Sequence, residues 1–461
     1  MKKSILYVIS VLMILSMVIA ACTPKVTETE APVVVATTEE PVAETEAPTE
    51  EPAPEGLTCA EPVKVGLITD LTGGLAIYGV MIPRSFMLGM EYATGAAGTA
   101  GDKFDITVTQ ENTFKIDNCE ITVYVRDDGG NAENTTTIAN ELIEVQKVDV
   151  LVGTVSSANT AVLQGIAAQN KVPLIVAPAA ANDITGKDFN EYTFRTSRNN
   201  YQDAINECTF LAKNYTNLVQ IAPDYAFGLG SAAAFRDACS IEGATFVADD
   251  VFAPATTTDF TPYMDPLLNS GAEAYIVTWA GSGFPALAKA AVDSGLNDNM
   301  ALAATFIDNV LMPLWYQDAI GSVNGIIYHW AAPQNPINDF LVAEENARYG
   351  VYPDLFDADG MNAAIMIVEA LKVTMGDTSA DALVAAMEGL SFEGPKGTVV
   401  IRPEDHVAIQ DMYILQLDNL TDATANFYTY VETTRPEPPC LLPETLKDRC
   451  GSLPFGTLSG E

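Results

Sequence analysis

Histidine is almost missing from this chain: His329 and His406 are the only two in 461 residues. None of the seven cysteines stands in a C-x-x-C pair. Zinc needs several such ligands converging, so no metal site and no cofactor are expected. Basic residues are scarce too. Against 61 Asp and Glu there are 23 Lys and Arg, a formal charge of −38. A surface of that sign repels phosphate backbones and excludes a nucleic-acid partner. It is ordinary for an exported soluble protein and does not name a ligand. G-x-S-x-G is absent, and no cysteine–histidine pair presents itself, so hydrolase and thiol-enzyme chemistry lack their residues. Adjacent acids such as Asp127 and Asp128 could act as acid and base. Their place just after an apolar run favours a turn or a solvated surface instead. Beyond the N-terminus no apolar run of membrane-spanning length recurs.

What is present begins with an export signal. Lys2 and Lys3 precede an apolar run from Ile5 to Ala21, and small residues lead to Cys22. Ile19-Ala20-Ala21-Cys22 resembles the lipobox of bacterial lipoproteins, in which the cysteine becomes the acylated N-terminus. Residues 1–21 are therefore expected to be a lipoprotein signal peptide and Cys22 a lipidation site. Several acyl chains anchor stably where one would not. Residues 22–57 read as a tether. From residue 23 they carry nine Glu, six Pro and one Lys, with no apolar period. Such a segment buries too little to order itself, and charge repulsion and proline stiffness extend it.

The stretch around which the rest is organised is Val148–Ala181, VDVLVGTVSSANTAVLQGIAAQNKVPLIVAPAAA. Val148–Val152 is short and β-branched, which predicts a buried strand ended by Gly153. Helical spacing follows from Ala161 to Gln169, then a second apolar strand, Leu174–Val176. A strand–loop–helix–strand unit implies parallel strands and a right-handed crossover. Ser156 and Ser157 then sit after a strand's carboxyl end, near a helix N-terminus, where free N–H groups gather. Such a loop suits a carboxylate or another small polar group; the plain alternative is a serine N-cap.

The same alternation runs along the chain. Val63–Ile68 leads to a helix through Met81–Ala93, and Ile121–Asp127 to a helix over Ala132–Gln146. Strands are expected at Asn217–Ala222, Thr245–Val251, Ala274–Trp279, Met300–Thr305 and Gly325–Trp330, and a long helix at Asp359–Met375. The fold class is thus α/β, with parallel sheets covered by helices on both faces and ligands at the strands' carboxyl ends. With Cys22 set aside, six cysteines remain and allow fifteen pairings in an exported chain. Cys59 and Cys119 precede strands that should be neighbours, Cys208 and Cys239 lie on successive helices, and Cys440 and Cys450 close a short tail. Those three pairs are the expected disulfides.

Specific stretches carry a resemblance to a known family. They are VKVGLITDLTGGLAIYG at Val63–Gly79, Arg126-Asp127-Asp128, VDVLVGTVSSANT, and Phe194-Arg195-Thr196-Ser197. Further on come Pro223-Asp224-Tyr225-Ala226-Phe227-Gly228, Thr257-Thr258-Asp259-Phe260, and GPKGTVVIRPEDH at Gly394–His406. In this order, over about residues 60 to 420, the chain resembles the type I periplasmic substrate-binding proteins of the branched-chain amino acid ABC transporter group. The resemblance implies two doubly wound parallel-sheet lobes joined by three hinge crossings. Lobe one would hold 58–197 and 326–393, lobe two 198–325 and 394–432, and 433–461 would form a tail. Phe194–Asn200 would carry the first crossing. Such proteins do no chemistry; they close on a solute and deliver it to a permease.

The resemblance also implies site residues. Ser157, beside Ser156, would fix a ligand carboxylate, with Ala180 and Ala181 in the neighbouring loop and Tyr78 from the first. Lobe two would add Tyr225, Phe227, Thr257, Trp279, Thr305 and Asp308. Two positions depart from the pattern: Thr257 stands where relatives that bind amino acids have Glu, and Ala181 where Thr is common. A buried ammonium without a charged partner costs several kcal/mol. Either Asp308 or Asp224 supplies the charge, or the ligand has no α-ammonium, and leucine-like amino acids are then not the best ligands. Asp259 would cap the helix from Phe260, and His329 would pack in the hinge. The expected role is a monomeric, lipid-anchored receptor on the outer face of the cytoplasmic membrane. It would bind an amino acid, amide or carboxylate and dock on ABC permease and ATPase subunits. The alternative is a sensing receptor of the same fold without transport.

Overall fold

The computed structural model describes residues 56–460, apart from 102–103, 106–107, 109 and 304–306. Cys22, the signal, nearly all of the tether and Thr305 lie outside these residues.

Strand β1 (Val63–Thr69) leads to helix α1 (Met81–Thr94). Then come β2 (Gln110–Ile116), β3 (Cys119–Asp127), α2 (Ala132–Asn140), β4 (Val150–Val152), α3 (Ser157–Asn170), β5 (Leu174–Val176) and β6 (Thr193–Arg195). The six strands form one sheet in the order β2-β3-β1-β4-β5-β6. β1 pairs in parallel with both β3 and β4, and β4, β5 and β6 continue in parallel. Every residue of β4, β5 and β6 is buried. Helices cover both faces of such a sheet, which is why these strands read as unbroken apolar runs. β2 is antiparallel to β3. Its sequence, QENTFKI, is mostly polar and suits an edge; the apolar pattern did not reveal it. The helix expected over 132–146 changes at Glu141 into a wider π turn running to Gln146.

The second sheet is built the same way. Its elements are α4 (Asn200–Asn214), β7 (Asn217–Pro223), α5 (Ala226–Ile241), β8 (Thr245–Phe246), β9 (Val251–Ala253), α6 (Thr261–Leu268), β10 (Ala274–Val277), α7 (Phe284–Asp293) and β11 (Ala301–Leu302). The order is β11-β10-β7-β8, with β9 also on β7, all parallel. The single strand expected at 245–251 is two short ones, and the one from Met300 is only two residues long. α4 starts with a reciprocal cap: Asn199 Oδ1 accepts from the Gln202 N–H at 3.0 Å, and Gln202 Oε1 from the Asn199 N–H at 2.9 Å.

After β12 (Val323–Ile326) the chain returns to the first sheet's side with α8 (Pro336–Tyr349), α9 (Asp357–Val373) and α10 (Ala380–Met387). The strand expected at 325–330 thus begins and ends earlier. α9 is buried on almost every side and packs along α1. The two helices meet at glycines. A Cβ on Gly89 would lie 2.8 Å from both the Ala364 Cβ and the Met361 carbonyl oxygen, and one on Gly360 would lie 2.7 Å from the Ile82 carbonyl oxygen. Next come β13 (Ser391–Gly394), β14 (Gly397–Ile401) and β15 (Ala408–Ile409), then β16 (Met412–Leu417) and β17 (Tyr428–Thr434). β13 packs on α9, whereas β12, β16 and β17 form a sheet against α4. A lobe boundary at 393/394 would therefore cut the β13–β14 hairpin. We place the third passage between lobes at 409–412, the first between β6 and α4, and the second after β12.

Three disulfides, Cys59–Cys119, Cys208–Cys239 and Cys440–Cys450, tie the start of the fold to β3, α4 to α5, and the tail to itself. They are the pairs expected from placement. The tail lies on both lobes. Arg449 Nε donates to the Glu404 carbonyl at 2.7 Å, and the Leu458 N–H to Asp237 of α5 at 2.8 Å.

Candidate functional site

Each parallel sheet has one place where the strand order reverses direction, between β1 and β4 in the first and between β7 and β10 in the second. Loops diverge there at the carboxyl ends and leave a crevice. The loops after these four strands supply Tyr78, Ser157, Tyr225 with Phe227, and Trp279. All five line one cavity of about 100 Å³. Two glycines let the loops turn this tightly. A Cβ on Gly153, at φ +133°, would sit 2.1 Å from the Ile68 carbonyl oxygen, and one on Gly228 would sit 2.0 Å from that of Pro223.

Ser157 is the first residue of α3, and its Oγ accepts the Ala181 N–H at 3.2 Å. Ser156 occupies the cap position without a side-chain cap bond and does not line the cavity. Ala180 lines it; Ala181 is turned away, its carbonyl accepting from Arg195 Nη2 at 2.8 Å. The Tyr78 hydroxyl accepts the Gly281 N–H at 3.4 Å, and its ring meets Phe356 edge-on at 5.3 Å. Trp279 stands edge-on to Phe260 at 4.8 Å and lines the cavity.

Other expected residues lie elsewhere. Thr257 sits in a half-buried turn, its N–H bonded to the Pro254 carbonyl at 2.9 Å, and does not line the cavity. Asp308 is fully buried behind the wall. Its Oδ1 accepts the Val310 and Leu311 N–H groups at 3.1 and 2.9 Å, and burial raises its carboxyl above the usual range. Asp224 is exposed outside the cavity. Neither acid lines the cavity: Asp308 is turned to local amides and Asp224 to solvent. Asp259 accepts the Thr261 N–H at 3.0 Å and so turns the chain into α6. His329 is buried against Tyr428, 4.9 Å between rings, and burial lowers its pKa to about 4.

Sequence reasoning missed a pair of charges. Arg198 and Asp203 both line the cavity, joined Nε to Oδ1 at 3.1 Å. Arg198 Nη1 donates to the Pro178 carbonyl at 2.8 Å, and its guanidinium lies over the Phe356 ring at 5.2 Å. No described residue bonds Nη2, which leaves one donor edge for a ligand. Burial raises the Asp203 carboxyl, and Arg198 works against that rise. A signal existed: in a chain poor in cations, Arg198 falls in a buried crossing where solvation does not explain it. Two hydroxyls were missed as well. Ser231 and Thr278, both from the second lobe, are 3.0 Å apart in the wall.

The acids Asp70, Asp127 and Asp128 converge within 4.8 Å, the one such cluster among the described residues. Each is used in turns. Asp127 accepts the Leu71 and Gly129 N–H groups at 2.8 Å, and Asp128 accepts from Gly130 and Asn159.

With this geometry in view, comparison with known proteins is direct. The family model described as periplasmic binding protein matches residues 62–424. A Leu/Ile/Val-binding protein homolog 6 of Brucella melitensis is 26% identical over 378 residues, covering 79% of this chain and 90% of that protein. A solved ABC-type branched-chain amino acid transporter protein from Rhodopseudomonas palustris is 32% identical. It superposes with a TM-score of 0.66 over 81% of this chain and 96% of its own. A solute-binding protein of an ABC transporter from another R. palustris strain, solved with 3,4-dihydroxybenzoic acid, is 26% identical. Its TM-score is 0.68 over 81% and 96% of the two chains. The chain belongs to the periplasmic binding protein family, among the type I solute receptors of ABC transporters related to the leucine/isoleucine/valine-binding proteins.

Proposed function

We propose that this receptor serves an importer of small aromatic carboxylates and is held by a lipid at Cys22 on the outer face of the cytoplasmic membrane. One observation carries the ligand class: a guanidinium with a donor edge to spare lies in a cavity walled by aromatic rings, and no carboxylate there is left for an ammonium. Asp203 is engaged by Arg198, and Asp308 and Asp224 do not reach the space. An α-amino acid would bury its ammonium unpaired, at a cost of several kcal/mol. A benzoate-like acid has no such group. Its carboxylate fits Ser157 Oγ, the start of α3 and Arg198, and its ring fits among Tyr78, Phe227, Trp279 and Phe356. The relative crystallised with 3,4-dihydroxybenzoic acid supports the same reading.

Titration calorimetry of the chain from Thr23 onward tests it. Benzoate, 4-hydroxybenzoate and 3,4-dihydroxybenzoate are expected to bind more tightly than leucine, and to be recovered unchanged. Tight leucine binding with none of the benzoates would return the protein to the aliphatic amino-acid receptors, the reading favoured by its 32%-identical neighbour. Neighbouring genes for two permeases and two ATPases would distinguish transport from sensing alone.

A further inference from the structure

The seam between the lobes brings carboxylates together without a cation to match them. Asp354 lies in the loop before α9, on the first lobe; Asn309 follows β11 on the second. The Asn309 N–H donates to Asp354 Oδ2 at 2.8 Å. Asp308, the residue before Asn309, therefore arrives at the same place. Two more contacts close the seam nearby: the Ser282 N–H on the Gly74 carbonyl at 3.1 Å, and the Gly281 N–H on Tyr78. Both acids stand directly behind cavity-lining residues, Ile307 on one side and Leu355 on the other.

The surroundings of Asp354 are acidic or neutral. Asp357 faces it through the Asp354 N–H, bonded to Asp357 Oδ2 at 2.7 Å. The nearest cation, Arg84, is held by Asp357 at 2.9 Å and Glu345 at 3.2 Å. Tyr328 and Tyr428 complete the ring of titratable groups around Asp354, and the Tyr78 hydroxyl faces Asp308. Glu345 is itself pushed well above the carboxylate range by burial and by Asp357. One guanidinium thus faces three acids, Asp357, Glu345 and Asp354, and Asp308 adds a fourth beside Asp354.

We propose that a proton is a second ligand of this receptor: Asp354 takes it up when the lobes close and Asp308 is brought against it, and gives it up when they open. In the closed form burial, then Asp308, raise the Asp354 carboxyl to about 8. With the lobes apart, Asp354 loses Asn309 and meets water, returning towards the ordinary value near 3.9. A group whose closed-state pKa is the higher one favours closure at low pH. That preference is lost as pH rises through the closed-state value. Between the two limits closure shifts by about tenfold per pH unit. Glu207 and Lys396 are also moved by burial to about 8, but they lie away from this seam.

Paired nitroxide labels at Lys115→Cys and Asn269→Cys, exposed on the two lobes, report closure by pulsed electron resonance without any solute. This keeps the test independent of the aromatic-acid reading. From pH 8.5 to 5.5 the closed population of the chain from Thr23 onward is expected to rise. Asp354→Asn, which mimics the protonated acid, should stay closed throughout. A wild-type population indifferent to pH overturns the proposal, as does a pH response that survives in Asp354→Asn. If that variant fails to fold, Asp308→Asn replaces it. Removing the neighbouring charge must move the midpoint to lower pH, and an unmoved midpoint overturns the proposal equally.

Discussion

On the proposed reading, Arg198 is the residue on which binding turns. Arg198→Ala removes a charged donor from the ligand and leaves Asp203 buried without its partner. The first loss is worth about 1.5–3 kcal/mol of affinity; the second lowers the stability of the empty protein. Calorimetry with 4-hydroxybenzoate and a thermal melt read the two separately. Ser157→Ala should weaken the same ligand by about 1–3 kcal/mol and leave the melt nearly unchanged. The Ser231–Thr278 pair gives a third outcome. Changing both, to Ala and Val, should reduce the preference for ring-hydroxylated benzoates over benzoate itself. At this scale the sequence was a partial guide. That Ser157, Tyr78 and Phe227 would line one cavity was legible because each stands in a motif at a strand's carboxyl end. Thr257 and Asp308 were not, because a motif position fixes the loop and not the direction in which a side chain leaves it. Arg198 and Asp203 escaped because their partners are 178 and each other, and that closeness is a product of the fold.

Among the elements, the α1–α9 crossing has the least room. Gly89→Ala should cost about 1–3 kcal/mol, the usual range for overpacking, because the contact at 2.8 Å includes backbone. Chemical denaturation measures it, and a neutral result would mean that the helices separate easily. The disulfide between α4 and α5 should contribute about 2–4 kcal/mol within the second lobe. The parallel strands were plain in the sequence, since burial on both faces makes them continuous apolar runs. β2 was not, since an edge strand needs little apolar pattern; β8 and β11 were expected, but longer than they are.

For the whole molecule, the expected outcome at Cys22 is acylation. The intact precursor should partition into detergent, and Cys22→Ala, once cleaved, should not. The two-lobe plan was readable from the alternation of strands and helices. The lobe to which the β13–β14 hairpin belongs is not readable in that way, because the hairpin carries the same alternation whichever lobe it serves.

Arg84 on α1 and Asp357 on α9 are 273 residues apart in the chain. Synthesis and folding therefore run out of step. The first lobe's sheet is complete by Arg195, yet the layer that covers α1 is absent until Val373 has been made. Closing so long a loop is slow and entropically costly. Until then α1 offers bare apolar surface, which the whole second lobe must be threaded past. A fragment ending near residue 200 should be collapsed and protease-sensitive, and adding a separate peptide spanning 336–375 should restore its resistance. The chain is thus expected to become fully compact only once most of it has been synthesised.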